Sequence, residues 1–240
     1  MGNKQISLQT GCEHGCLYCH AREEAVRSGR IKSGHVWGGC SPTIYGLDAD
    51  HLDCKYAARV VFPGAHDVTA RNLPYCEHVL SRLLQAGNDV VIESKPDLAV
   101  WRTLLDGLGP RKGQVELRFS ITHLDPSVGL FWEFDAPSVA ERLDALRMAH
   151  DGGWRTSVAC KPLLEPWRAA ELVARVRPMV SGAVRVGAAR CLRRRTAWCG
   201  GLPGLGDRVA ELEAWRTPEK FLEIRNAVGD DPKVQWGGGV

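Results

Sequence analysis

Apolar positions along this chain take two forms, short runs and helical stripes, and the two alternate. ISL (6–8) predicts a first short strand that runs into a cysteine-rich loop. ARVVF (58–62) is a β-branched run closed by Pro63-Gly64 and predicts a second. Between 72 and 87, Cys76, Val79, Leu80, Leu83 and Leu84 share one helical face, and Gly87 supplies a C-terminal stop. DVVIES (89–94) reads as a third strand, and a helix follows near 98–108. In LRFSI (117–121), Leu117, Phe119 and Ile121 lie on one side of a fourth strand. Ser138 and Glu141 have capping-box spacing, and Val139, Leu143 and Leu146 follow at helical spacing. RTSVAC (155–160) and AVRVG (183–187) predict two more strands around a helix near 167–177, and a last helix covers about 218–227.

Six strands, each followed by a helix, argue for a parallel sheet. The fold class expected is α/β, an incomplete (βα)6 TIM-like barrel of parallel strands, with a doubly wound sheet as the alternative. One domain over 1–228 and a C-terminal tail over 229–240 follow, with no structure assigned to GGGV (237–240). The long first connection, 20–57, is expected to include a flap or mobile loop. In a parallel barrel, chemistry gathers at the C-terminal ends of the strands. Here those ends are polar: the cysteine loop, PGAHD (63–67), ESKP (93–96), SITHLD (120–125) and ACKPLLE (159–165).

Composition narrows the class only slightly. The 240 residues are 44% hydrophobic and 25% charged, ordinary for a soluble globular protein. A net charge of +3 is too small by itself to argue for nucleic acid. The chain has no apolar run of about 18 residues, so no membrane span is expected. MGNKQISLQTGC (1–12) lacks the regions of a signal peptide, and a cytoplasmic location is expected. Nine cysteines in a reducing compartment point to metal or redox chemistry rather than disulfides.

Three of them stand in GCEHGCLYCHAR (11–22), spaced C-x3-C-x2-C: Cys12, Cys16 and Cys19. A 4Fe–4S cluster usually takes four cysteines, so three leave one iron with an open position for a substrate or cofactor. The other readings are a zinc site completed by His14 or His20, and unlinked thiols. Zinc fingers more often pair two C-x2-C units, and the sequence has no second pair.

C-x3-C-x2-C with Tyr18 before the third cysteine resembles the signature of the radical S-adenosylmethionine superfamily. The resemblance implies a 4Fe–4S cluster on the three cysteines and S-adenosylmethionine on the open iron. Reductive cleavage then gives a 5′-deoxyadenosyl radical, with an electron donor such as flavodoxin or ferredoxin as partner. RFSIT (118–122) and FWEFDAPSVAERLDALRMAHDGGWRTSVACKPLL (131–164) resemble the spore photoproduct lyase-like branch. That branch implies S-adenosylmethionine contacts at Lys95 and Ser120. PGAHD stands where many members carry G-G-E: Gly64 allows close backbone approach, and His66 and Asp67 replace the acidic contact. The branch's hydrogen-donating cysteine aligns near Gly64 and is absent, which argues against thymine-dimer repair by the same route. Cys160, ending the fifth strand, is therefore the expected hydrogen donor or substrate contact, with a buried structural thiol as the alternative.

GAARCLRRRTAWCGG (187–201) clusters Arg190, Arg193, Arg194 and Arg195 near Trp198, a set suited to a phosphate and a stacked base. A solvated turn is the plainer reading. The substrate stays open, nucleic acid being one class this stretch admits. Two further functions stand beside this one. CLYCH (16–20) also occurs in glycyl-radical activating enzymes, whose partner is a protein, and a non-catalytic metal-holding module could bind nucleic acid. Oligomeric state is not legible.

Overall fold

Residues 3–38 and 49–237 are described by a computed structural model. The strands are β1 (Lys4–Gln5), β2 (Val60–Phe62), β3 (Val90–Ser94), β4 (Val115–Ser120), β5 (Arg155–Leu163), β6 (Val184–Ala188) and β7 (Val234–Trp236). They pair in chain order, every neighbour parallel. The order never reverses, so the sheet is singly wound and the doubly wound alternative is excluded. Among the described residues, β1 and β7 are the edges of the sheet, and the barrel is open between them.

The helices are α1 (His20–Arg27), α2 (Ala49–Leu52), α3 (Leu73–Gln85), α4 (Leu98–Leu108), α5 (Pro126–Trp132), α6 (Val139–Asp151), α7 (Ala169–Val176), α8 (Leu192–Thr196), α9 (Leu205–Ala214) and α10 (Pro218–Val228). Periodicity explains the longer ones. Cys76, Val79, Leu80, Leu83 and Leu84 of α3 are buried as one face, and Gly87 leaves the helix at φ 82°. Ser138 and Glu141 form the expected capping box on α6.

Strand alternation sorts two environments. Leu117, Phe119 and Ile121 of β4 and its extension pack outward under the helices with Trp101, at 4.7 Å between the Trp101 and Phe119 rings. Glu116 and Arg118 face the barrel interior. There Glu116 accepts hydrogen bonds from Ser157 Oγ at 2.7 Å and Arg118 at 3.2 Å, and Arg118 pairs with Glu93 at 2.8 Å. This charged layer closes the barrel below the strand ends, with each buried ion paired.

Two sequence expectations need correction. Ile6–Leu8 do not form the first strand; the ladder covers Lys4–Gln5. Ile6 N donates to Val61 O at 3.1 Å, but Ile6 O then accepts from Gly64 N and Leu8 N turns to His66 Nε2. The second concerns the tail. Val234–Trp236 pairs with Val184–Val186 as a seventh strand, and Gly237 N donates to Val186 O at 2.7 Å. Without it, the outer edge of β6 would carry unpaired backbone groups. The expected flap over 20–57 contains α1, a 3-10 turn at Gly34–Val36 and α2, and its residues 39–48 lie outside the described residues.

Candidate functional site

The C-terminal strand ends surround one cavity of about 490 Å³. Cys12, Cys16 and Cys19 line it, with Tyr18, Gly64, His66, Asp67, Lys95 and Ser120. Four connections that are far apart in sequence therefore converge, and a volume of this size suits a cofactor-sized ligand.

Asp67 organises the cysteine end. Its Oδ1 accepts from Ser94 Oγ at 2.9 Å and from Lys95 N at 2.7 Å. Its Oδ2 meets His14 Nδ1 at 2.9 Å, Lys95 Nζ at 3.6 Å and Cys12 Sγ at 3.7 Å. Burial pushes this carboxyl up, yet Lys95 and His14 outweigh burial and hold it well below the usual range. One carboxylate thus fastens the cysteine loop to β3. His66 has a similar backbone task. It accepts from Leu8 N at 3.3 Å on Nε2, and its Nδ1 donates to Asp67 O at 2.9 Å. Both ring nitrogens are used within the protein, and burial favours the neutral ring. Gly64 sits so close to β1 that an added Cβ would lie 3.1 Å from Gln5 Cβ.

Tyr18 is held from behind by residues the sequence quoted without a role. Its hydroxyl donates to Glu133, which also accepts from Thr122 Oγ1 at 2.9 Å and pairs with Arg142 at 2.5 Å. Glu133 is completely enclosed. Burial raises its pKa, but Arg142, Lys95 and His123 bring it down to about 2. The tyrosine therefore presents its ring to the cavity, and Lys95 Nζ stands 5.9 Å from the ring centre.

Arg22 bears directly on what the three thiols could hold. It is 2% exposed, its guanidinium stacks on Trp198 at 3.9 Å, and Nε and Nη1 have no hydrogen-bond partner. Burial weakens its charge, while Cys19, Cys16, Cys199 and Cys12 act in the opposite sense. A buried guanidinium facing thiols calls for an anionic group there, and a metal–thiolate assembly is one. Cys19 Sγ also caps α1, accepting from Arg22 N at 3.4 Å. Among the described residues, the compact ligand set is Cys12, His14 and Asp67, with atoms within 4.8 Å of one another, rather than the three thiols. Thiols on one tetrahedral zinc would be about 4 Å apart. His14 is engaged by Asp67, and the His20 ring faces Glu23 at 3.7 Å. The three thiols are thus not arranged for one tetrahedral zinc ion, a spacing that a cluster of several atoms allows, while Cys12, His14 and Asp67 lie close enough to share a single ion.

The arginine stretch divides. Arg190 and Arg195 line the cavity. Arg193 and Arg194 point outward and pair with Glu213 at 2.9 Å and Glu23 at 3.0 Å, so they do not join the site. Trp198 is not a free stacking platform, being wedged between Arg22 and His35. The expectation for Cys160 is also corrected. Its outward strand parity puts it in the sheet–helix core with Val158, fully buried, and burial pushes the thiol up to about 12. Its neighbour Lys161 faces the cavity instead, together with Gly187 and Gly237, and sequence reasoning missed all three.

No protein-family model matches the sequence. A curated relative, an uncharacterized protein (ORF301) of Acidianus two-tailed virus, is 26% identical over 175 residues, covering 67% of this chain and 56% of that protein. Among solved structures, a spore photoproduct lyase variant with bound AdoMet and a dinucleoside spore photoproduct superposes with a TM-score of 0.54 at 17% identity. The lyase complexed with the dinucleoside photoproduct gives 0.53, also at 17%. Each lyase match covers 80% of this chain and 60% of the lyase chain, so this chain spans under two thirds of the relatives it matches. The chain has the fold of spore photoproduct lyase. Among the described residues, no helix is long and apolar enough to cross a membrane.

Proposed function

We propose that this chain is a radical S-adenosylmethionine enzyme of the spore photoproduct lyase type, with Cys12, Cys16 and Cys19 holding a 4Fe–4S cluster. One observation carries the reading: the three thiols of the C-x3-C-x2-C loop line a single cavity at the strand ends of this barrel, beside a buried arginine that lacks an anion. When bound, cluster and AdoMet together supply one-electron cleavage of the sulfonium to a 5′-deoxyadenosyl radical.

The chain's own residues position and enclose. Asp67 fixes Cys12 and His14 against β3, so the first thiol is preset. Glu133 and Arg142 lock Tyr18, which holds the loop between Cys16 and Cys19. Lys95 supplies an ammonium, and Ser120 a hydroxyl, on the wall where an amino-acid carboxylate would lie. Arg22 balances the negative charge of ligated thiolates.

The test is anaerobic reconstitution with iron and sulfide. The expected result is a reduced-cluster paramagnetic signal that AdoMet perturbs, with dithionite-driven 5′-deoxyadenosine. Replacing any one of the three cysteines by Ala should abolish both. Stoichiometric zinc with no cleavage, or a triple variant that cleaves AdoMet at the wild-type rate, would refute the reading.

A further inference from the structure

We infer that Cys12, His14 and Asp67 form a site for one zinc-class divalent ion in the cluster-free chain, a donor set that shares only Cys12 with the three-cysteine loop. The ion site rests on the geometry of these three side chains; its rivalry with a cluster rests also on the enzyme reading.

Cys12 and His14 stand two positions apart on the loop after β1, and Asp67 reaches them from the connection after β2. All three are buried. Asp67 Oδ2 lies 2.9 Å from His14 Nδ1 and 3.7 Å from Cys12 Sγ, and one ligand atom from each residue falls within 4.8 Å of the others. Tetrahedral zinc, with bonds of about 2.0–2.3 Å, sets such atoms about 3.3–3.6 Å apart. Small side-chain shifts therefore close the triangle round one ion. Among the described residues, no group of this kind includes Cys16 or Cys19.

The carboxylate is already oriented. Ser94 Oγ and Lys95 N hold Oδ1 at 2.9 and 2.7 Å, which leaves Oδ2 turned to the histidine and the cysteine. Thiolate, imidazole and carboxylate are zinc donors, and three protein ligands leave a fourth position open. Cys12 and Asp67 line the cavity, so water or a small ligand can reach that position. The charges also cancel. A divalent ion with one thiolate and one carboxylate is neutral, so no net charge is buried with it. Binding sends the Cys12 thiol proton to solvent and leaves the His14 proton on Nε2. The opposing group is Lys95, whose Nζ lies 3.6 Å from Oδ2. Its ammonium repels the ion and swings away on a flexible stem. Lys95 thus lowers the affinity without removing a ligand. Cys12 cannot serve both, so ion and cluster exclude each other.

The experiment is anaerobic titration of Co2+ into the full, iron-free chain, read by optical spectroscopy. One ion per chain is expected, with a thiolate-to-metal charge-transfer band and the intense visible bands of four-coordinate cobalt, all removed by Zn2+. Cys12→Ser should erase the charge-transfer band, and His14→Ala should weaken binding by about tenfold or more. The double variant Cys16→Ala/Cys19→Ala should keep both band and affinity, and Lys95→Gln should bind more tightly. No saturable binding, no charge-transfer band, a band that survives Cys12→Ser, loss of binding in the Cys16/Cys19 variant, or a Lys95→Gln chain that binds no more tightly would each overturn the assignment. The wild-type spectrum and the Cys16/Cys19 variant decide the matter even if His14→Ala fails to fold. Zn2+ loaded first should be released one for one as iron and sulfide enter; a cluster that forms with zinc retained would overturn the rivalry. Failure here is separable from failure of the enzyme reading. A chain that cleaves AdoMet but shows no cobalt band loses only the ion site. A chain that binds Co2+ in this way but assembles no AdoMet-cleaving cluster loses only the radical chemistry.

Discussion

A thiol buried beside a carboxylate is a poor anion. Burial, and then Asp67, keep Cys12 protonated to well above its usual range, and burial takes Cys16 to about 12. Metal loading must therefore displace protons from thiols that otherwise keep them. Arg22 offsets the charge that results, so Arg22→Gln should shift the cluster's reduction potential to more negative values, read by a redox titration of the paramagnetic signal. An unchanged or more positive potential would remove Arg22 from the cluster's surroundings. Glu133 gives a pH prediction. Its pKa falls from about 4.5 to about 2 on folding, so its stabilisation is complete above pH 4.5 and is lost as pH falls towards 2. The size is on the order of 3 kcal/mol. Glu133→Gln should destabilise the chain at pH 7 and abolish most of this acid dependence in urea unfolding; a variant with the parent's pH profile would contradict it. The placement of the three cysteines on one cavity was legible because their spacing keeps them on a single short loop at a strand end. Glu133 and Arg142 stood in quoted motifs, but their task was hidden because it exists only once α5 and α6 meet the cysteine loop.

At the scale of elements, what could be read depended on how many neighbours set the outcome. Helices α3 and α6 follow from periodicity and capping, which are local. Strand β5 shows the limit. It is buried on both faces, so its residues do not declare which side is in, and reading the thiol of Cys160 inward inverted the parity that puts Lys161 there. The stretch 187–201 folds into α8 and a following 3-10 turn because Leu192 and Thr196 are buried, and its four arginines then point in different directions. A contact between elements also gives a test. The turn at Gly34–Val36 rests on Trp198 so closely that a Cβ at Gly34 would lie 2.5 Å from Trp198 Cβ. Gly34→Ala should cost about 1–3 kcal/mol through overpacking and loosen the Arg22–Trp198 stack. Thermal melting together with tryptophan fluorescence would check it, and a variant with unchanged melting temperature would show that the turn yields freely.

For the whole molecule, the parallel half-barrel and the polar strand ends that line its cavity were readable from alternation, whereas the seventh strand was not. VQW is three residues beside glycines, too short for a pattern, and only the free edge of β6 gives it a reason to pair. Every strand pairs only with its neighbours in the chain, and that has a consequence for how the molecule is made. No pairing must wait for a distant partner, so closure entropy is met one loop at a time, and the sheet can grow in the direction of synthesis. The cysteine loop, Asp67, Lys95 and Ser120 are all assembled by β1–β4, before Lys161, Arg190 and Gly237 have been added. We expect amides of β2–β4 to gain protection before those of β6–β7 in pulsed hydrogen exchange during refolding; simultaneous protection would show one cooperative step. The cofactor end of the cavity would thus stand first as an open shelf, and the last few residues of the sheet would turn it into a chamber.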